Sequence, residues 1–191
     1  MDVYTHDWSS FEEMSEYNHP YVTKLIDLDI IYFHDENTLN YYKKLQQKLK
    51  LSMNNETKVL ENINKHYNKL VNELNKLNNN ELELGLAYRN LATIIKEVEF
   101  IIYMFNKSYV KRGTKRVPEE ICNMNELPDN FIEIYKDITN CKTIEEVKDK
   151  ANKIVDCMTI YVNSKGIKYI PSIEEKKDIE RKELIPSNLY G

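Results

Sequence analysis

The chain has 191 residues, carries 27 Lys and Arg against 31 Asp and Glu for a formal net charge of -4, and is 41% hydrophobic. This length is typical of one globular domain, and a mildly acidic balance is not typical of a nucleic-acid-binding protein. No apolar stretch approaches the roughly 20 residues that cross a bilayer, and no apolar run follows a basic N-terminus. Three cysteines without a C-x-x-C pair fit a reducing compartment better than a disulfide framework. We therefore expect a cytoplasmic protein with no membrane partner.

The first part of the chain, residues 1–36, is predicted to form a small segment with a strand and a short helix. Ser10-Phe11-Glu12-Glu13 matches the S-x-x-E capping box, which predicts a helix that begins there and ends by Pro20. Alternating apolar residues predict a strand over 29–33, for which residues 3–5 are the only other strand candidate.

Residues 37–166 are predicted to form an antiparallel bundle of four or five helices, so the fold class is mainly α. Glycine is nearly absent and the five prolines are widely spaced, which leaves long uninterrupted segments. Apolar residues at helical spacing predict helices over 56–77, 81–110, 129–139 and 143–166. The second of these is apolar on most of its circumference, which is typical of a central helix.

The last 25 residues, 167–191, are predicted to be a charged tail.

Acidic and histidine residues give little support for an active site. Asp27 and Asp29 would share one face of a strand and could hold Mg²⁺, but nucleotide-transferring enzymes also need a Gly-Ser turn, and no glycine precedes Gly85. The four histidines lack zinc-binding spacing, and none of them follows an arginine, which disfavours a small helical ribonuclease. An intact enzyme that uses the two aspartates is the least favoured hypothesis.

Residues 106–116 form the strongest local signal, because they contain five Lys or Arg residues, no acid, and half of the chain's arginines. At the end of a central helix, such cations either face the negative end of the helix dipole or form an anion site. In the second case Arg and Lys meet phosphate while Gly113 lets the backbone turn sharply. Both interpretations remain open at this point.

The order of motifs around this segment is distinctive. A long apolar helix leads into Asn106-x-x-Tyr109, a Lys-Arg-Gly-x-Lys-Arg loop, Glu119-Glu120-Ile121 and Leu127-Pro128. This order resembles the helical C-terminal domain of nucleotidyltransferases in the DNA polymerase β superfamily, in particular the kanamycin-nucleotidyltransferase-like branch. The stretch before residue 33 is similar to the segment by which such proteins leave their catalytic sheet.

The resemblance implies a substrate- or nucleotide-binding domain that closes over a nucleotide, or another phosphate-bearing small molecule, and an acceptor. It implies a cleft lined by Asn106, Tyr109, Lys111, Arg112, Lys115 and Arg116, and it makes Asp2 a candidate for the family's third metal-binding carboxylate. The catalytic half of that family carries a Gly-Ser turn and an Asp-x-Asp pair ahead of the part that this chain resembles, and the sequence shows neither motif there. We therefore expect no catalytic residue in this chain, and Mg²⁺ only if a separate catalytic chain or half supplies the remaining ligands.

A hypothesis from another class is a free-standing helical interaction module or homodimer without enzymatic activity. Its apolar stripe, Leu60-Ile63-Tyr67-Leu70 or Ile154-Met158-Tyr161, would then meet a partner or a second copy of the chain.

Overall fold

The computed structural model describes residues 7–27, 35–79 and 82–168. Within these ranges the regular structure consists of eight α-helices and one 3₁₀ turn, with no strand, which confirms the mainly α helical bundle. The strands predicted over 3–5 and 29–33 lie outside the described residues, as does most of the predicted tail. The helices are α1 (Trp8–Ser15), α2 (Thr23–Ile26), α3 (Glu36–Asn54), α4 (Glu56–Asn79), α5 (Leu84–Phe105), α6 (Val117–Cys122), α7 (Phe131–Asp137) and α8 (Ile144–Ser164), and the 3₁₀ turn (Thr114–Arg116) precedes α6.

Helices α4, α5 and α8 form the centre of the bundle. Only four residues connect α4 to α5, and the two helices pack along their lengths, so they run antiparallel. Helix α4 is also antiparallel to α8, because Tyr67 bonds to Thr159 (3.1 Å) while Asn78, further along α4, bonds to Asn152 (3.0 Å), earlier in α8. Helix α5 contacts α4, α6 and α8, which explains why apolar residues occupy most of its circumference.

The helix boundaries confirm part of the sequence prediction. Helices α4, α7 and α8 lie where apolar spacing places them, and the Thr143 hydroxyl accepts a hydrogen bond from the Glu146 amide as the capping box predicts. Gly166, with φ 81°, follows the end of α8. The predicted boundaries of α1 are wrong: Asp7 caps it by accepting from the Ser10 amide (2.9 Å), so Ser10 lies inside the helix. That helix ends at Ser15, well before Pro20.

The N-terminal segment packs into the same core as the bundle. Tyr17, Val22 and Leu25 are fully buried against bundle residues. The Tyr17 hydroxyl donates to the Ser108 carbonyl (2.5 Å), and the Val110 amide donates to the Pro20 carbonyl (3.0 Å). The segment therefore holds the start of the basic 106–116 segment in place.

The two apolar stripes considered as interaction surfaces are internal. Ile63, Tyr67, Leu70, Ile154 and Met158 are each at most 2% exposed, because they fill the core between α4, α5 and α8. Leu60 and Tyr161 are only partly buried, but most of each stripe belongs to the core, so neither stripe offers a continuous apolar face to a partner. In the described part of the chain, none of the helices combines the length and apolar character that crossing a bilayer requires.

Candidate anion-binding cleft

The basic segment 106–116 is a loop and a 3₁₀ turn between α5 and α6. Helix α5 ends at Phe105 because Lys107 adopts a left-handed backbone conformation, with φ 45°, and the amides of Lys107 and Ser108 bond back to carbonyls of the last turn. This is a Schellman arrangement. The helix predicted to reach residue 110 is therefore too long, and most of the cations lie beyond the helix rather than on its last turn.

A carboxylate from α6 binds the backbone of this loop. Glu120 accepts hydrogen bonds from the amides of Lys111 (3.0 Å) and Arg112 (2.8 Å) and from the Tyr103 hydroxyl (2.7 Å). Burial, and then the contact with Glu120, raise the pKa of Tyr103, so its phenol stays protonated and continues to donate. Two successive amides that converge on one carboxylate form a backbone geometry suited to anions. In this structure the chain's own Glu120 is the anion.

The two arginines of the loop converge on Glu119. A guanidinium nitrogen of Arg116 lies 2.9 Å from the Glu119 carboxylate, and one of Arg112 lies 3.9 Å from it. Their side chains are 63% and 69% exposed. Ion pairs this exposed contribute only about 0 to 1 kcal/mol, so either arginine can exchange Glu119 for another anion with little loss of stability.

Asn106 and Tyr109 fix the position of the loop. The Asn106 amide group donates to the carbonyls of Ile102 (2.9 Å) and Glu126 (2.7 Å), and its oxygen accepts from the Glu126 amide (2.9 Å). The Tyr109 hydroxyl donates to Asp27 (3.0 Å). The polar groups of both side chains are therefore engaged by the protein itself.

A polar cleft of about 490 Å³ opens beside the loop. Its lining residues are Asn106, Ser108, Lys111, Arg112, Glu119, Glu120, Asn123, Met124 and Asn125. Of the six predicted site residues, the structure brings Asn106, Lys111 and Arg112 together in this cleft. Tyr109, Lys115 and Arg116 lie on the same loop but do not line it.

Lys111 is the cation of the cleft that is best placed for a ligand. Its ammonium lies 5.9 Å from the centre of the Tyr109 ring, a distance at which a cation–π contact forms. No carboxylate in the described ranges forms an ion pair with it, whereas Arg112 and Arg116 share Glu119. The cleft therefore combines one ammonium, one exchangeable guanidinium and two backbone amides beside two carboxylates.

Metal ligands do not gather in the part of the chain that the structure describes, where no group of three His, Cys, Asp or Glu side chains could hold a metal ion. Asp27 follows the end of α2 and binds Tyr109, while Asp2 and Asp29 lie outside the described residues. The described residues therefore contain no ligand set for the Mg²⁺ that the resemblance implies.

Two glutamates in the middle of α5, Glu97 and Glu99, were missed by the sequence analysis. The signal that could have found them is the presence of two acids within the apolar run of the central helix. Glu97 is fully buried, and its carboxylate lies 2.6 Å from His66 Nδ1 and 2.5 Å from Lys69 Nζ. Glu99 is half-buried and accepts a hydrogen bond from Tyr135 (2.5 Å).

His66 links Glu97 to the N-terminal segment. Its Nε2 lies 2.7 Å from the Asn18 carbonyl and its Nδ1 lies beside the Glu97 carboxylate, so both ring nitrogens face acceptors. Burial alone would raise the pKa of Glu97, but the hydrogen bonds from His66 and Lys69 outweigh it and hold this pKa below the usual range. Glu97 is therefore an ionised group whose charge the fold itself balances.

Comparisons with known proteins do not assign the chain to a family. No protein-family model matches the chain, and no curated protein or solved structure shows significant similarity to it.

Proposed function

We propose that the chain is the substrate-binding helical domain of a nucleotidyltransferase-like protein and that its basic cleft receives the phosphates of a nucleotide or another phosphate-bearing small molecule. The observation that carries the proposal is the convergence of the Lys111 and Arg112 amides on one carboxylate. An oxyanion that displaces Glu120 would meet the same two donors, with the Lys111 ammonium beside it.

In this proposal the domain binds and orients its ligand without performing the chemistry. Nucleotidyl transfer needs metal-bound carboxylates, which a separate catalytic chain or half would supply. The motif order from the long apolar helix through Leu127-Pro128 supports the assignment. The exposure of Arg112 supports it as well, because a solvated guanidinium can turn to an arriving phosphate.

The interaction-module hypothesis has less support from the structure, since most residues of the two stripes on which it relied are buried. Ile160 on α8 is 74% exposed, but single exposed apolar residues are ordinary on a protein surface. A homodimer or a partner protein remains a prediction without a defined surface.

Thermal unfolding of the full chain tests the anion cleft. Millimolar ATP and millimolar inorganic triphosphate should each raise the melting temperature by a few degrees, whereas adenosine should not, because the cleft recognises phosphate. The double variant Lys111→Ala with Arg112→Ala should lose this shift. Lys43→Ala with Lys50→Ala, which removes the same charge from the exposed face of α3, is the matched control and should keep it.

Two results would contradict the proposal. One is the absence of a shift with either phosphate compound in the wild-type chain. The other is an equal loss of the melting-temperature shift in both double variants, which would mean that anion binding depends on the overall charge of the protein rather than on this cleft.

A further inference from the structure

A second pocket, of about 530 Å³, lies across helix α6 from the basic cleft. It is lined by residues of α5, α6 and α7, and it shares Glu119 and Asn123 with the cleft. Much of its wall is apolar, formed by Ile95, Pro118, Cys122, Tyr135 and Ile138. A concave apolar pocket with few polar groups is the usual form of a small-molecule site.

The polar group that distinguishes this pocket is the Glu99 carboxyl on its α5 wall. The Tyr135 hydroxyl donates to it at 2.5 Å, and the Tyr135 side chain is itself only 6% exposed. Burial raises the pKa of Glu99, and the hydrogen bond from Tyr135 opposes this effect without cancelling it. The carboxyl group therefore lies where its charged form is poorly solvated.

Glu99 has no counter-ion within the described ranges of the chain. Two other charged groups line the same pocket: Glu119, which pairs with the two loop arginines, and Lys136, which forms no ion pair with Glu99. The groups that feel the charge of Glu99 are the phenols of Tyr21, Tyr103 and Tyr135, whose pKa values are raised first by burial and also by this carboxylate. Phenols and a carboxylate leave the negative charge uncompensated.

We infer that this pocket binds a small organic cation, a protonated primary amine carried on an apolar chain or ring. The ammonium would pair with the Glu99 carboxylate, while the apolar part would pack against Ile95, Pro118 and Ile138. A partly buried carboxylate without a counter-ion is unfavourable, and an arriving ammonium supplies the missing charge. The Tyr135 ring adds an aromatic wall of the kind that attracts cations.

Calorimetric titration of the full chain tests the inference with two probes of similar size, 4-phenylbutylamine and the neutral 4-phenylbutanol. The amine should bind at least tenfold more tightly than the alcohol. Glu99→Gln, which keeps the volume and can still accept from Tyr135, should abolish this difference. Glu133→Gln, on the exposed side of α7, is the matched control and should preserve it. Circular dichroism should show that both variants keep the fold.

A second readout needs no variant. Cys122 lines this pocket and Cys157 lies on α8 beside a different groove, and both thiols are partly accessible. The amine should slow the reaction of Cys122 with N-ethylmaleimide and leave Cys157 unaffected.

Three results would overturn the inference. The amine and the alcohol could bind with equal affinity, or neither could bind at millimolar concentration. The Glu99→Gln variant could also prefer the amine as strongly as the wild type does. Protection of both cysteines or of neither would also count against it. Because the probes carry no phosphate, these results are independent of the anion cleft, and either site can fail without the other.

Discussion

Glu97 and Glu99 are two glutamates on the same helix, the first fully buried beside two basic side chains and the second half-buried beside a phenol. Two residues along an α-helix correspond to a rotation of about 200°, so Glu97 faces α4 while Glu99 faces α6 and α7. Glu97 meets His66 and Lys69, and its pKa is lowered; Glu99 meets a phenol, and its pKa is raised. Removal from water therefore shifts the pKa of a carboxyl group in either direction, depending on whether a basic side chain lies beside it. The carboxylate that the fold leaves without a cation is the one available to a ligand.

The largest effect that separates the two residues should come from removing the Glu97 charge. Glu97→Gln leaves the His66 ring and the Lys69 ammonium without their shared anion, so the free energy of unfolding should fall by about 3 kcal/mol or more. Urea denaturation at neutral pH measures this change. Glu61→Gln, on the exposed face of α4, should change stability by less than about 0.5 kcal/mol. If the Glu97 variant is as stable as this control, the contacts of Glu97 with His66 and Lys69 contribute nothing to the free energy of unfolding.

A smaller effect is expected when Glu99 loses its one identified donor. Tyr135→Phe keeps the ring and removes the hydroxyl, which should lower the free energy of unfolding by about 1 to 2 kcal/mol. The same change should raise the pKa of Glu99 further, because the hydrogen bond that favours the carboxylate is gone. Denaturation of Tyr135→Phe alone and combined with Glu99→Gln gives the coupling between the two side chains. Additive effects would mean that the hydrogen bond has no energetic weight.

The smallest and most specific effect is the pH dependence of stability. The pKa of Glu99 is raised in the folded chain, so its contribution is fully present below the unfolded value of about 4.5 and is lost as pH rises through the folded value. Glu97 has the opposite sign, since its contribution is present above the unfolded value and is lost as pH falls.

The free energy of unfolding can be measured for the wild-type chain and for Glu99→Gln from pH 4 to pH 8. The difference between the two values should change with pH. The wild type should lose stability against the variant as pH rises, because only the wild type carries the carboxyl group whose pKa is raised. A difference that stays constant over this range would contradict the raised pKa of Glu99.

The sequence was sufficient to predict the central helices because their apolar residues repeat at helical spacing over many turns. It was not sufficient for the end of α5, since Lys107 takes a left-handed conformation that is unusual for residues other than glycine. The start of α1 was misplaced because Asp7 and Ser10 are both good capping residues, and only the folded backbone selects Asp7. Helix α3 was not identified as a separate element, although Tyr42, Leu45, Leu49 and Met53 on one face are buried.

The sequence was sufficient to predict only the part of the candidate site that is contiguous along the chain. The cations of residues 106–116 are contiguous in sequence and could be recognised, but their acidic partners Glu119 and Glu120 meet them only when α6 folds back onto the loop. Glu97 and Glu99 look equivalent in the sequence. Their difference depends on which side chains of α4 and α7 face them, and a linear pattern does not contain that information.

The most direct test of the comparison is a ¹³C NMR titration of the side-chain carboxyl groups of the full chain, with and without 4-phenylbutylamine. We expect Glu97 to titrate below the usual glutamate range and Glu99 above it, and we expect the amine to lower the apparent pKa of Glu99 while leaving that of Glu97 unchanged. An alkyl ammonium stays protonated to about pH 10, so the probe keeps its charge throughout. If Glu99 titrates at or below the usual range, or if the amine leaves its titration unaltered, the claim that Glu99 is an unpaired carboxylate open to a cationic ligand is wrong.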